Sequence, residues 1–286
     1  MLYPSIKKKS IALHLAIISH ECKSKNYFMN DLSLHVLASS SSGNCALLRA
    51  NGMNILVDAG ISASRIRKDI ANLGLTLNDI DGIFITHEHG DHCYALETLS
   101  KHPNMRVFAC EETFEFITYR KPATKSLQWT VFKSGQSFSF GEISVTTYTV
   151  PHDVATVAYK FNTGEKSFVW LTDLGKPTIL AKELAKEAHV LVLEANYCPK
   201  MLQNSSRPQQ LKNRISGNYG HLSNADAIAI LEGINPSFVE RILLAHVSKE
   251  CNNLDHIAEL LSGLPQELKS KIEIICPFSG IPQPLQ

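Results

Sequence analysis

Thr86-His87-Glu88-His89-Gly90-Asp91-His92 closes a short apolar run that begins at Gly82. In an extended segment, residues two apart point to the same side, so the rings of His87 and His89 can share one metal ion. Gly90 lets the chain turn, and Asp91 and His92 then face a neighbouring position. Imidazole and carboxylate together suit Zn²⁺, with Mn²⁺ and Fe²⁺ as alternatives. A polar surface loop has no need of four ligand-type side chains in so short a stretch.

Outward from this motif the chain alternates in type. Strands are predicted at Leu32–Ala38, 46–49 and 54–57, the last ending at Asp58-Ala59-Gly60. Residues 62–73 have helical spacing, with Ile66, Ile70 and Leu73 on one face. A helix at 94–101, a strand at 106–109 and a helix at 111–119 follow. The segment 129–161 is β-rich, with turn glycines Gly135 and Gly141. Next come a strand at 168–172, a helix at 178–188, a strand at 190–193 and a polar stretch over 196–220. The last elements are a helix at 224–232, strand Arg241–Ala245, helix Leu254–Leu261 and a strand at 272–276. Strands in runs with helices interleaved predict an α/β (α+β) chain with two sheets and helices outside, not one parallel sheet.

Further ligand types recur at strand ends. His152 follows the run 145–150, Asp173 follows 168–172, and His246 follows 242–245. Each alone reads equally as a residue capping a turn. Together with the first motif they complete two coordination spheres.

At this point the sequence resembles the metallo-β-lactamase superfamily. HxHxDH, a later His, a later Asp and a final His stand in that family's order over about residues 30–286. The resemblance implies a four-layer αββα sandwich. It implies His87, His89 and His152 on one metal, Asp91, His92 and His246 on the other, and Asp173 bridging them. Asp58 would be the acid that orients the site, although it reads equally as a turn acid or helix cap. A finer resemblance is to the YycJ/WalJ-type group, described as exonucleases. It rests on Leu37-Ala38-Ser39-Ser40-Ser41-Ser42-Gly43-Asn44, Val57-Asp58-Ala59-Gly60 and Leu193-Glu194-Ala195-Asn196, together with Gly220-His221-Leu222-Ser223-Asn224 and Ala245-His246-Val247-Ser248-Lys249. The group's Glu-Asn-Asn after the last His is interrupted here by Cys251.

Two metals about 3.5–4 Å apart suit hydrolysis of a phosphodiester by a hydroxide activated between them. Asp91 is then both ligand and catalytic group. His221 precedes Ser223, a predicted helix N-cap with Asp226 as its capping-box partner. His221 therefore sits beside a helix N-terminus, where phosphate binds readily, and is expected to give the phosphate a hydrogen bond or proton. A loop histidine packed against the helix is the plainer alternative. The loop 39–44 is expected to offer backbone N–H groups and the Asn44 amide to a phosphate, or to be a simple turn. Ser223, Lys212 and Arg214 are further phosphate contacts. Between Ala195 and Ala225 stand Lys200, Arg207, Lys212 and Arg214 with no acid, which favours a polyanion or a solvated loop. Glu194 ends a strand and reads as structural or as support for the site.

Composition narrows the remainder. The chain has 286 residues, 44% of them hydrophobic, and a net charge of +1. Bulk charge points to no partner, so a nucleic-acid footprint must be local. The seven cysteines are odd in number, scattered and without a CxxC, as expected of reduced cytoplasmic thiols. No apolar run reaches the ~20 residues of a membrane helix. Lys7, Lys8 and Lys9 before the run 11–18 loosely resemble an export signal, but no small-x-small cleavage site follows. Residues 1–29 are expected to be an extension outside the core, and 30–286 one hydrolase domain. The function expected is a metal-dependent phosphodiesterase or nuclease, an exonuclease on DNA or RNA, with two divalent ions and no organic cofactor. The competing readings are a small-substrate hydrolase on the same site, for a cyclic phosphodiester, thioester or lactam, and a non-catalytic protein whose metals hold the fold. Oligomeric state is not legible.

Overall fold

The structure, a computed structural model, describes residues 32–102, 104–276 and 282–284. The expected extension at 1–29 lies outside the described residues. Six strands form the first sheet, in the order β1 (Leu32–Ala38), β2 (Cys45–Ala50), β3 (Met53–Val57), β4 (Gly82–Phe84), β5 (Arg106–Cys110) and β6 (Gln128–Phe132). The second sheet runs from β7 (Ser137–Phe140) through β8 (Ile143–Val150), β9 (Thr156–Asn162), β10 (Ser167–Leu171), β11 (Val190–Glu194), β12 (Arg241–Ala245) and β13 (Ile272–Ile275) to β14 (Pro282–Pro284).

Alternation along the strands builds two kinds of core. The inward faces of both sheets meet in a layer that includes Phe84, Phe108, Phe140, Tyr159, Phe161, Phe168 and Trp170. Phe84 stacks on Phe108 with ring centroids 4.3 Å apart and meets Phe140 edge-on, the arrangement ring quadrupoles favour. The outward face of the first sheet packs on α1 (Ala63–Ala71), α3 (Leu96–Leu99) and α4 (Glu111–Arg120). The outward face of the second packs on α5 (Ile179–Lys186), α8 (Asn224–Leu231), α9 (Leu254–Leu261) and α10 (Gln266–Lys269). The result is the expected four-layer αββα sandwich.

Helix α1 shows why these boundaries fall where they do. The Ser62 hydroxyl accepts from the Arg65 N–H and caps it, and Ala63, Ile66 and Ile70 supply the buried face. Two expectations need correction. The helix predicted at 94–101 shrinks to α3, and an unpredicted short helix, α2 (Gly90–Cys93), precedes it, so Asp91 and His92 are themselves helical. The polar stretch 196–220 contains α6 (Pro199–Asn204) and α7 (Gln209–Ser216). Their few apolar residues, Leu202, Leu211 and Ile215, gather on Tyr197 and Cys251 in a small separate cluster. That is too little hydrophobic surface to show as a periodic stripe.

Candidate dinuclear metal centre

The topology brings the ligand types to one rim. β3 and β4 run parallel. β8 and β10 are both antiparallel to β9, while β10, β11 and β12 are mutually parallel. The C-terminal ends of β8, β10, β11 and β12 therefore share an edge, and there the chain places His152, Asp173, Glu194 and His246. Asp58, Asp173 and His246, each just past a strand, adopt φ of 60°, 58° and 54°. Left-handed backbone at non-glycine residues costs on the order of 1–3 kcal/mol each and persists where surrounding structure fixes it.

Two groups of donor atoms lie side by side. His89 Nδ1 is 3.0 Å from His87 Nε2 and 3.4 Å from His152 Nε2. Asp91 Oδ2 is 3.4 Å from His92 Nε2 and 3.5 Å from His246 Nε2. Asp173 Oδ2 lies 3.4 Å from His92 Nε2 and groups with His87 and His92. A tetrahedral ion with bonds of ~2.0–2.1 Å has donor-to-donor edges of about 3.3 Å, so both groups fit a divalent ion. Asp173 Oδ2 and His246 Nε2 are buried without a hydrogen-bond partner, as atoms are when a cation completes their environment.

Each imidazole has its other nitrogen against the protein. His152 Nδ1 donates to the Gly220 carbonyl at 3.0 Å. His92 Nδ1 is 2.7 Å from Asp58 Oδ2, and both side chains are fully buried. The Thr86 hydroxyl donates to Asp58 and receives His87 Nδ1 at 3.0 Å. His246 Nδ1 is 2.8 Å from Glu194 Oε1. His89 Nε2 is the loosest, 3.5 Å from Asp153 Oδ1. Such contacts fix tautomer and ring direction.

Electrostatics divides the two groups. Burial, then His92, His152 and His89, hold His87 well below the usual imidazole range, and burial also lowers His89 and His152. These rings are neutral, as ligands must be. In the other group burial opposes the charge, yet Asp173, Asp58 and Asp91 push His92 well above its ordinary value. His246 is pushed up to about 10 against burial by the neighbouring carboxylates of Asp173, Asp91 and Glu194. A cation entering this second group displaces protons.

The remaining expected residues divide into those at the centre and those turned from it. His221 is at the centre. Its Nδ1 is 2.8 Å from Glu194 Oε1, and its ring lies 5.3 Å from that of His152 and 5.2 Å from that of His246. Asn44 is buried with its Nδ2 3.3 Å from Asp91 Oδ2 and 3.0 Å from His92 Nε2. The loop 39–44 presents no ring of free N–H groups: those of Ser40, Ser42, Gly43 and Asn44 are taken by Asn44 Oδ1, the Ser40 hydroxyl, the Ser40 carbonyl and the Asp91 carbonyl. Ser223 caps α8, and its hydroxyl is bound to Asp226. Lys212 Nζ donates to the Gln203 carbonyl. Arg214 Nε pairs with Asp153, which itself lies 3.3 Å from His152 Nε2. Gly90 is not the turning residue, because its φ is not positive and a Cβ there would meet nothing. Gly60 is the constrained one: a Cβ would sit 1.6 Å from the Asp91 carbonyl oxygen.

Two groups at the centre carry no clear signal in sequence. Glu194 is fully buried and holds His221, His246 and the Leu174 and Leu222 N–H groups. In sequence it stood at a strand end within Leu193-Glu194-Ala195-Asn196, where structural and site-supporting roles read alike. Asp153 follows a candidate ligand but belongs to no spaced motif.

A model of the beta-lactamase superfamily domain matches residues 53–247. The exodeoxyribonuclease WalJ of Streptococcus pneumoniae is 35% identical over 228 residues, 79% of this chain and 84% of that protein. The exodeoxyribonuclease YycJ of Bacillus anthracis is 31% identical over 241 residues, 84% and 90% of the two chains. The metallo-β-lactamase fold protein YhfI of Bacillus subtilis superposes with a TM-score of 0.65 at 16% identity, covering 88% of this chain and 98% of its own. The chain belongs to the metallo-β-lactamase superfamily and, within it, to the YycJ/WalJ type.

Proposed function

We propose that this chain is a metal-dependent hydrolase of phosphodiester bonds, an exonuclease on DNA or RNA. The observation that carries the reading is the pair of adjoining donor groups, with Asp173 Oδ2 buried and unpartnered beside them. His87, His89 and His152 would hold one divalent ion and Asp91, His92 and His246 the other, with Asp173 shared. Zn²⁺ and Mn²⁺ both suit this mixture of imidazole and carboxylate. Two such ions supply Lewis-acid activation for in-line displacement at phosphorus.

The chain's own groups supply orientation and proton handling. Asp58, Thr86, Glu194 and the Gly220 carbonyl hold the histidine rings in place. With Nδ1 of His221 against Glu194, its Nε2 is left to hydrogen-bond a phosphate oxygen or pass a proton to the leaving oxygen. Arg214 and Lys212 on α7 favour a polyanionic substrate. The working unit is the domain over 30–286. No described helix is long and apolar enough to cross a membrane. The cytoplasmic setting rests on the buried thiols of Cys45, Cys93, Cys110, Cys198 and Cys251, which suit a reducing compartment.

The test is incubation of the purified protein, with Mn²⁺ or Zn²⁺, with end-labelled DNA and RNA. Progressive shortening from an end supports the reading. Intact polymers alongside hydrolysis of a small diester would favour the small-substrate alternative.

A further inference from the structure

A cleft of about 410 Å³ opens on the Asp91 side of the centre, within the size range of small-ligand sites. Ser42, Gly60, Ser62, Arg65, Asp91 and Tyr94 are among its lining residues. Asp91 belongs to both the cleft wall and the second donor group, so a phosphate at the centre lies beside it. Tyr94 is 62% exposed although it directly follows the buried His92 and Cys93. Its backbone is fixed as the cap of α2, and α2 is itself pinned: the Ala59 N–H donates to the His92 carbonyl and the Asn44 N–H to the Asp91 carbonyl. The ring is thus an exposed aromatic face on a pinned backbone, one helical turn from a candidate ligand. Asp153, with Arg214 paired to it, stands instead beside His89 and His152 of the other donor group. A second hollow of about 410 Å³ elsewhere on the second sheet offers less, since its Lys160, Lys166 and Lys186 pair with Glu187, Glu240 and Glu183.

From this arrangement we infer that the cleft is a subsite for the unpaired terminal nucleoside of the substrate, with its base stacked on Tyr94. The inference rests on the nuclease reading and adds a position to it. The strand then crosses the centre from the Arg214 side, and the nucleoside to be released lies against Tyr94. Every base has a π-face, so the subsite takes any of them.

The test uses the full chain with Mn²⁺ and single-stranded oligonucleotides that end either in ordinary nucleotides or in abasic tetrahydrofuran residues at both ends. Stacking of one base corresponds to a preference of about tenfold or more in kcat/KM. Wild type should prefer the ordinary ends by that factor, Tyr94→Phe should keep the preference, and Tyr94→Ala should lose it. A wild type indifferent to the missing base, a Tyr94→Ala that keeps the preference, or a Tyr94→Phe that loses it overturns the subsite while leaving the nuclease reading intact. A wild type that shortens neither strand refutes that reading, and the subsite with it.

Discussion

His221 and His246 are joined through a single carboxylate oxygen: Glu194 Oε1 lies 2.8 Å from Nδ1 of each. One buried acid thereby sets the direction of a candidate ligand and of the candidate proton donor beside it. Burial would raise this carboxyl, but His221 and His246 hold it well below the usual range. Glu194→Gln keeps the shape and removes the charge. Loss of such support to a ligand lowers metal affinity by about 10–100-fold, and turnover should fall with it. A competing-chelator titration checks this; unchanged affinity would show that Glu194 serves packing alone.

His221→Ala should act on the chemical step. The proposed ligands are complete without it, so metal content should stay nearly intact while phosphodiester turnover falls about 10²–10⁴-fold. KM should change less, because the interaction strengthens as charge develops. Lys212→Ala and Arg214→Ala should instead weaken polymer binding and flatten its salt dependence, with a smaller effect on a small diester. A His221→Ala protein stripped of metal would make His221 a ligand, as its proximity to Asp173, Glu194 and His246 also permits.

Much of this centre was legible because its ligands follow strands and the strands are apolar. The His87–His92 motif showed in its spacing and His152, Asp173 and His246 in their places at strand ends, while their division between two ions came from the family resemblance. The Ser223–Asp226 cap was legible for the same local reason, two complementary residues at fixed spacing. What sequence hid is contact between distant segments. Nothing near Gly60 announces that the Asp91 carbonyl fills the space of its side chain. Nothing around Asn44 shows that its loop turns its N–H groups inward, onto itself and Asp91. Helices α6 and α7 were hidden because they pack on a small cluster of their own.

Stability should depend on pH through His35 on β1. Burial, then Arg49 and Arg241, hold this imidazole below its ordinary value. Just below the unfolded value of about 6.5 the unfolded chain binds a proton that the folded chain does not, so stability falls as pH falls through that window. Above it both states are neutral and His35 contributes nothing to the slope. His35→Gln should therefore lose less stability than wild type between pH 7 and pH 5, read by urea unfolding. Equal losses in the two proteins would contradict the assignment.

The most direct measurement is the number of transition-metal ions per chain, by elemental analysis of active wild type and of Asp173→Ala. Adjoining donor groups that share Asp173 require close to two ions in wild type and clearly fewer once the shared carboxylate is gone. Full activity with no more than one ion per chain, or an Asp173→Ala protein that still holds two, would contradict the dinuclear centre.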